Sequence, residues 1–384
     1  MGTRVLPAYG GNSLVNLVAS VVEARGGPRH HPPHALLPSR ELEPARNVVL
    51  TILDGLGDNY LTRQGDGGEL ARRRRGAITS VFPSTTASAI TTSYTGRTPL
   101  EHGITGWFTY FGEAGYVAAP LPFRTRGDML PLREKSFSPE RAFTAKSIFE
   151  DMKARAIVVS PAEIITSDYN LHHCARAELR PYHSLEQLVS EVEAAVKSGP
   201  ERKFVYAYWP AYDAISHRYG SLSAEAAREF ERIDAAFGQM LKKLSGTETV
   251  VVATADHGFI DVPPEESLEL PPSLASMLRF PLCGERRVAY CHVPDSDAFT
   301  QRARDWLGER AEVKRSTELV EAGWFGPGEA HARFAERVGD VTLVMNRHFT
   351  VKDWIPGEPR HLHIGNHGGP TADEMMIPLI VENA

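Results

Sequence analysis

Short, nearly unbroken apolar runs punctuate the chain at intervals. They are "NVVLTILDG" (Asn47 to Gly55), "AIVVS" (Ala156 to Ser160), "KFVYAYWP" (Lys203 to Pro210), "ETVVVATADHG" (Glu248 to Gly258) and "IPLIVE" (Ile377 to Glu382). Runs of this length, rich in β-branched residues, fit strands of a parallel sheet buried on both faces. Between them the apolar spacing changes to that of helices. Ser184 to Lys197 begins with the capping-box spacing of Ser184 and Gln187, and Gly199 can close it. Ala224 to Leu244 repeats Ala226, Phe230, Ile233, Phe237 and Leu241 at four- and three-residue steps, which gives one apolar face. This alternation predicts an α/β fold, a mostly parallel central sheet with helices on both faces.

The pattern shifts after Asp261. From there to Met345 come Pro-rich segments, the strand-like "RRVAYCHV", a helix near Asp297 to Leu307 and the strand-like "GDVTLVM". The expected organisation is therefore a core of residues 46–260 and 346–384, with residues 261–345 as an inserted α+β lobe able to cap a site. Residues 1–45 supply an amphipathic helix, Leu14 to Val22, and a loop rich in Pro, Gly and His, in which His30, His31 and His34 read as linker residues.

Composition narrows the function classes. The chain has 384 residues, enough for a substantial core, and 42 basic against 48 acidic residues give a net charge of −6. That balance offers no electrostatic footprint for duplex nucleic acid or an anionic membrane. The run Arg72 to Arg75 reads as a solvated surface turn, with a phosphate-attracting rim as its functional alternative. Cys174, Cys283 and Cys291 form no CxxC pair, so neither a disulfide framework nor a thiolate zinc cluster is expected. With no apolar run of about 18 residues, and with the N-terminal patch broken by Asn16, the expected setting is a reducing, cytoplasmic one without a membrane span.

Chemistry-bearing residues gather where the strands end. Asp54, Asp213 with His217, Asp256 with His257, and His367 each follow an apolar strand or lie within a loop of one. Strand ends of a parallel sheet converge on one edge, so the sequence brings these distant residues into one neighbourhood. Asp213 and His217 stand four apart, on one face of a helical turn. Three Asp and three His without Cys form a donor set for two zinc ions or similar metals. Two such ions about 4 Å apart clamp the attacking and leaving oxygens of a phosphoryl displacement. The nucleophile this requires is available in "VFPSTTASAITTSYTG", where Ser84, Thr85 and Thr86 precede a helix-forming run; a helix N-cap is the plain alternative role for them.

In this order, "ILDGLGDN", "FPSTTASAITTSYTGRTPLEHGITG", "WPAYDAISH", "TADHGF" and "NHGGPTADEMMIPLIV" resemble the alkaline phosphatase superfamily, most closely its type I phosphodiesterases and nucleotide pyrophosphatases. The matching pieces span Val48 to Val381. The resemblance implies that Asp213, His217 and His367 hold one divalent metal, and that Asp54, Asp256, His257 and the nucleophile hold the other, with zinc as the expected ion and manganese as its alternative. Counting back from Thr95, Gly96, Pro99 and His102 to Ile104 puts the nucleophile on Thr86, with Thr85 in reserve and Ser84 as an ordinary cap. It further implies attack by the Thr86 hydroxyl on a small phosphorylated substrate, a nucleotide among the candidates, and hydrolysis of the resulting phosphothreonine by water from the opposite side.

Two features bear on the branch. The sulfatase signature is absent at the nucleophile, and where many phosphodiesterases carry an oxyanion-binding Asn after "HGI-x-G" this chain has Trp107, leaving Tyr110, Arg97 or a backbone N–H as substitutes. Phosphodiester or nucleotide pyrophosphate hydrolysis is the leading expectation. Phosphomonoester or phosphonoacetate-type phosphonate hydrolysis is the enzymatic alternative, and a metal-stabilised binding protein the noncatalytic one. Of the remaining candidates, His102 reads as structural, and His363 as a substrate contact or a strand-edge residue. His172, His173 and Cys174 read as a solvated loop, and Tyr208 and Tyr212 as core packing.

Overall fold

The computed structural model describes residues 4–358 and 360–384. Seven strands form the central sheet in the order Arg74–Thr79, Met376–Asn383, Thr249–Thr254, Asn47–Leu53, Lys203–Trp209, Arg155–Pro161, Glu178–Tyr182. The last five of these are mutually parallel. Asn47–Leu53 is buried at every position because neighbouring strands flank it and helices cover both faces, which explains its unbroken apolar run.

Met376–Asn383 departs from the expected pattern. It pairs antiparallel with both neighbours. The reason is topological: it follows directly on the His367 turn at the C-terminal edge of the parallel strands, so it can only run back from that edge. Arg74–Thr79 is a strand that the apolar pattern did not announce, since only its end is buried. Nor is Arg72–Arg75 a phosphate-attracting rim. Arg72 and Arg73 pair with Glu69, Arg74 with Asp58 and Arg75 with Glu41, so local carboxylates take up the whole run.

The N-terminal segment is also more integral than a helix and linker. The helix Leu14–Ala24 is buried at all positions except Glu23, rather than being amphipathic. Asn16, which interrupts its apolar run, donates to the carbonyls of Tyr9 (2.9 Å) and Pro32 (2.8 Å), pinning the following loop. His31 and His34 are buried within that loop, and His31 contacts Glu101 at 2.7 Å. His172, His173 and Cys174 are not a solvated loop: they end the helix Asp168–Cys174, where His173 and Cys174 are buried. His173 stacks on Tyr94, and burial pushes its imidazole down to about 3, so it stays neutral.

Beyond Asp261 the chain builds a four-stranded antiparallel sheet in the order Cys283–Gly284, Val288–Cys291, Val341–Met345, Ala311–Arg315. The helix Ser296–Leu307 packs on it through Phe299, Ala303 and Leu307, giving this segment its own apolar core. A second cluster, including Phe82, Val288, Tyr290, Trp324 and Met375, joins that sheet to the loop before Thr86. Among the described residues no helix is long and apolar enough to cross a membrane.

Candidate functional site

Asp54, Asp213, His217, Asp256 and His257 owe their positions to strand ends. Asp54 follows Asn47–Leu53, and Asp256 and His257 follow Thr249–Thr254. Asp213 and His217 lie one turn apart on the helix Ala211–Tyr219 that leaves Lys203–Trp209. Gly258 must be glycine because a Cβ there would stand 2.1 Å from the carbonyl oxygen of Asp373, so this glycine serves a backbone crossing rather than a ligand. Gly368, directly after His367, has φ +112°, which turns the chain sharply behind that imidazole.

Hydrogen bonds engage one face of each group and leave the other bare. Asp256 Oδ1 accepts the N–H groups of Gly55 (2.9 Å) and His257 (3.0 Å), while its Oδ2 has no partner. Asp54 Oδ2 accepts the Tyr208 hydroxyl, and its Oδ1 is unpartnered. Asp213 Oδ1 is bare as well. His257 Nδ1 lies 3.1 Å from the Gly258 carbonyl and His217 Nδ1 2.9 Å from that of Gly365, so each ring donates there and turns its Nε2 lone pair inward. Tyr208 is thus part of the site's support and not simply core packing. Tyr212 is fully buried, as packing predicts.

These inward atoms have the spacing of ligand sets. His217 Nε2 and His367 Nε2 are 3.1 Å apart, and Asp213 Oδ1 lies 3.4 and 3.8 Å from them. Around His257 Nε2 stand Asp54 Oδ1 at 3.5 Å, Asp256 Oδ2 at 3.5 Å and Thr86 Oγ1 at 3.1 Å. Ligands about 2.0–2.1 Å from a tetrahedral zinc ion are separated by about 3.3 Å, so both sets match the edges of such a site. His257 Nε2 also lies 3.9 Å from Asp213 Oδ1, so the two sets adjoin. Asp213, His257 and His367 form one compact group with metal-ligand spacing, and Asp54, Asp256 and His257 another.

Without cations the cluster is electrostatically unfavourable. Burial, then repulsion from Asp256 and Asp213, raises the Asp54 carboxyl well above its ordinary range, and burial followed by Asp256 and Glu285 does the same to Asp213. Burial lowers His257, lowers His217 to about 4, and holds His367 well below the usual imidazole value. Bare carboxylate oxygens and neutral imidazoles facing one another are the donors that divalent zinc or manganese requires.

Thr86 begins the helix Thr86–Thr95 and Thr85 is its N-cap residue. Neither Thr85 nor Ser84 caps it. The Thr85 hydroxyl donates instead to Glu285 (2.6 Å), and the Ser84 hydroxyl to the Gly369 carbonyl (2.7 Å), which corrects the expected capping role of Ser84. The first-turn N–H groups therefore have no side-chain acceptor beside the Thr86 hydroxyl, a favourable seat for a phosphoryl oxygen. Of the proposed substitutes for the missing Asn, Arg97 lies past the far end of this helix, paired with Glu101, and Tyr110 stacks on Phe280. The N–H of Trp107 donates to Glu285 at 2.7 Å.

His102 is buried, holds Thr92 Oγ1 at 3.1 Å and accepts the Ile104 N–H, in keeping with a structural role. His363 lies with its ring centroid 4.4 Å from that of His217, at the site's margin. Sequence reasoning missed Glu285, on a turn between two lobe strands. It also missed the buried Arg287–Glu374 pair (3.0 Å), in which Glu374 further accepts the Gly369 N–H and so fixes the turn that carries His367. No periodicity marks either residue; the one available signal was the charged "GERR" turn inside an apolar hairpin.

Residues 48–370 match the family described as type I phosphodiesterase / nucleotide pyrophosphatase. No curated protein matches the sequence. Among solved structures, murine ectonucleotide pyrophosphatase/phosphodiesterase 5 superposes with a TM-score of 0.66 at 17% identity, covering 88% of each chain. An inactive variant of that murine protein, in complex with AMP, gives 0.64 at 17% identity over 86% of this chain and 87% of that one. Phosphonoacetate hydrolase from Sinorhizobium meliloti 1021, in complex with phosphonoacetate, gives 0.64 at 18% identity over 88% and 90% of the two chains. At these identities the likeness is one of fold.

Proposed function

The chain belongs to the type I phosphodiesterase/nucleotide pyrophosphatase family, and on that premise we propose that it cleaves phosphodiester or nucleotide pyrophosphate bonds through a phosphothreonine formed on Thr86. The observation that carries this reading is the Thr86 hydroxyl, 3.1 Å from His257 Nε2, at the uncapped start of a helix and beside three unpartnered carboxylate oxygens. Asp213, His217 and His367 would hold one divalent cation, and Asp54, Asp256, His257 and Thr86 the second. When bound, such cations supply Lewis acidity that lowers the pKa of a hydroxyl or water and neutralises phosphoryl charge.

The protein's own groups do the positioning. The helix start offers its N–H groups to the phosphoryl oxygens, aligning phosphorus with Thr86 Oγ. Thr86 Oγ, giving up its proton, then attacks phosphorus in line, the bond to the leaving oxygen breaks and that oxygen departs as an alcohol or phosphate, and the phosphoryl group with its remaining substituent stays on the threonine. Water attacks from the opposite side, breaks the bond between phosphorus and Thr86 Oγ and restores the hydroxyl. The backbone bonds from His257 and His217 keep both rings in the tautomer this arrangement needs.

A second reading, hydrolysis of phosphomonoesters or phosphonates, draws on Trp107 standing where an oxyanion-binding Asn is expected. Comparing zinc-loaded wild type with Thr86→Ala on bis(p-nitrophenyl) phosphate, p-nitrophenyl phosphate and a nucleoside triphosphate decides the matter. Full activity in the variant would refute the role of Thr86, and a preference for the monoester would refute the diesterase reading.

A further inference from the structure

The turn joining the strands Cys283–Gly284 and Val288–Cys291 projects onto the site and is fixed on both sides of Arg286. Before it, Glu285 accepts from the Thr85 hydroxyl and the Trp107 N–H. After it, Arg287 forms its buried pair with Glu374. The backbone N–H and carbonyl of Gly284 also exchange hydrogen bonds with Phe108, tying the hairpin to the segment that follows the catalytic helix. Arg286 is therefore held at a defined place by neighbours that engage the nucleophile loop and the His367 turn.

The Arg286 side chain lies at the metal-site margin. It donates to the His361 carbonyl at 3.3 Å, His361 Nε2 is 2.9 Å from His363 Nε2, and His363 packs on His217. Its guanidinium lies 5.6 Å from the ring of Trp354, which also carries Lys352 Nζ at 4.2 Å. The positive charge of Arg286 is felt at both His217 and His363, where it disfavours protonation.

What distinguishes Arg286 from its basic neighbours is that, among the described residues, it forms no ion pair, although the charges of Glu285 and Glu358 reach it. Lys352 lies 3.7 Å from Glu358, and Arg360 lies 3.3 Å from Glu269. The two acids nearest Arg286 are otherwise engaged, Glu285 as described and Glu358 in a two-pronged pair with Arg126 at 2.8 and 3.0 Å. Among the described residues no carboxylate approaches the Arg286 guanidinium within ion-pair distance, although it is half-buried. A desolvated guanidinium with only one long hydrogen bond has donors to spare, and its planar fork suits a carboxylate or phosphate.

We propose that Arg286, backed by Lys352 and Trp354, receives a second anionic group of the substrate, a carboxylate or phosphate joined to the reacting phosphoryl group. This rests on the phosphoryl-transfer reading and adds the substrate class: molecules with two anionic groups close together, as in pyrophosphates or carboxylated phosphonates. Glu285 and Arg287 are then positioning residues that hold the turn.

The test reads binding without turnover. In zinc-loaded Thr86→Ala protein, calorimetry measures the affinity for methylphosphonate, phosphonoacetate and methylenediphosphonate, and Arg286→Ala and Arg286→Lys are added to that background. The inference predicts that the alanine change lowers the ratio of two-anion to one-anion affinity about tenfold to hundredfold, with lysine restoring part of it. A loss confined to phosphonoacetate identifies a carboxylate, and one confined to methylenediphosphonate a phosphate. An unchanged ratio, an equal loss for all three probes, or no binding of any of them would overturn the inference. Wild type that hydrolyses no phosphate ester would overturn the proposed reaction instead, and that outcome is read separately.

Discussion

Two buried groups of charged residues lie close together in this protein and are built on opposite plans. Arg287 and Glu374, both fully buried, satisfy each other, and Glu374 gains further bonds from the Gly369 N–H and the Thr371 hydroxyl. The Asp54, Asp213 and Asp256 cluster has, among the described residues, no lysine or arginine paired with it, only imidazoles that burial keeps neutral, and it leaves one oxygen of each carboxylate bare. Burying a carboxylate costs several kcal/mol unless a partner neutralises it. The first arrangement is complete as an all-protein structure, and the second becomes complete only when cations are added. That difference separates a strut from a site, and it predicts that the two groups respond oppositely to substitution.

The largest contrast lies between activity and stability at Thr86. Thr86→Ala should lower kcat at least about 10³-fold while leaving the thermal unfolding of the metal-free protein nearly unchanged, as read by steady-state kinetics beside calorimetry. Breaking the strut should do the reverse in kind: Arg287→Ala leaves Glu374 buried without its partner and is expected to cost about 3–5 kcal/mol in denaturant unfolding. Loss of the His367 turn should follow.

Asp54→Asn sharpens the comparison by changing sign. It removes one of the repelling charges yet keeps an oxygen for the Tyr208 hydroxyl, so metal-free protein should gain on the order of 1–3 kcal/mol. With zinc present the same change should destabilise, because a ligand is lost. Unfolding with and without chelator measures both arms.

The smallest effect at neutral pH, one that grows only on acidification, concerns a buried group that is neutral and satisfied. Burial holds His102 at about 3, below the ordinary imidazole value near 6.5. Its stabilising contribution is therefore complete above about pH 6.5 and is lost as the pH falls towards 3, at up to about 1.4 kcal/mol per pH unit. His102→Gln should reduce the acid-side slope of stability against pH by one proton.

Much of this was legible along the chain, for identifiable reasons. The parallel strands showed because residues such as Val48 to Ile52 are buried on both faces, and the site residues showed because acids and histidines ended those strands. Direction was not legible for Met376–Asn383: the same apolar run serves a parallel or an antiparallel central strand, and only the position of the His367 turn decides. The burial of His31, His34 and His173 was hidden because a histidine in a polar stretch carries no periodic signature. Glu285 and Arg286 were hidden for a deeper reason. Their meaning depends on which acids and hydroxyls lie opposite them, and Thr85 is some 200 positions away in the chain.

The central claim is that the bare oxygens and inward imidazole nitrogens are seats for two divalent cations beside Thr86. Counting bound zinc per chain by mass spectrometry of exhaustively dialysed, zinc-loaded protein tests it most directly, with Asp213→Ala measured in parallel. The account predicts about two ions in the wild type and about one in the variant; fewer than one ion in the wild type, or equal occupancy in both, would contradict it.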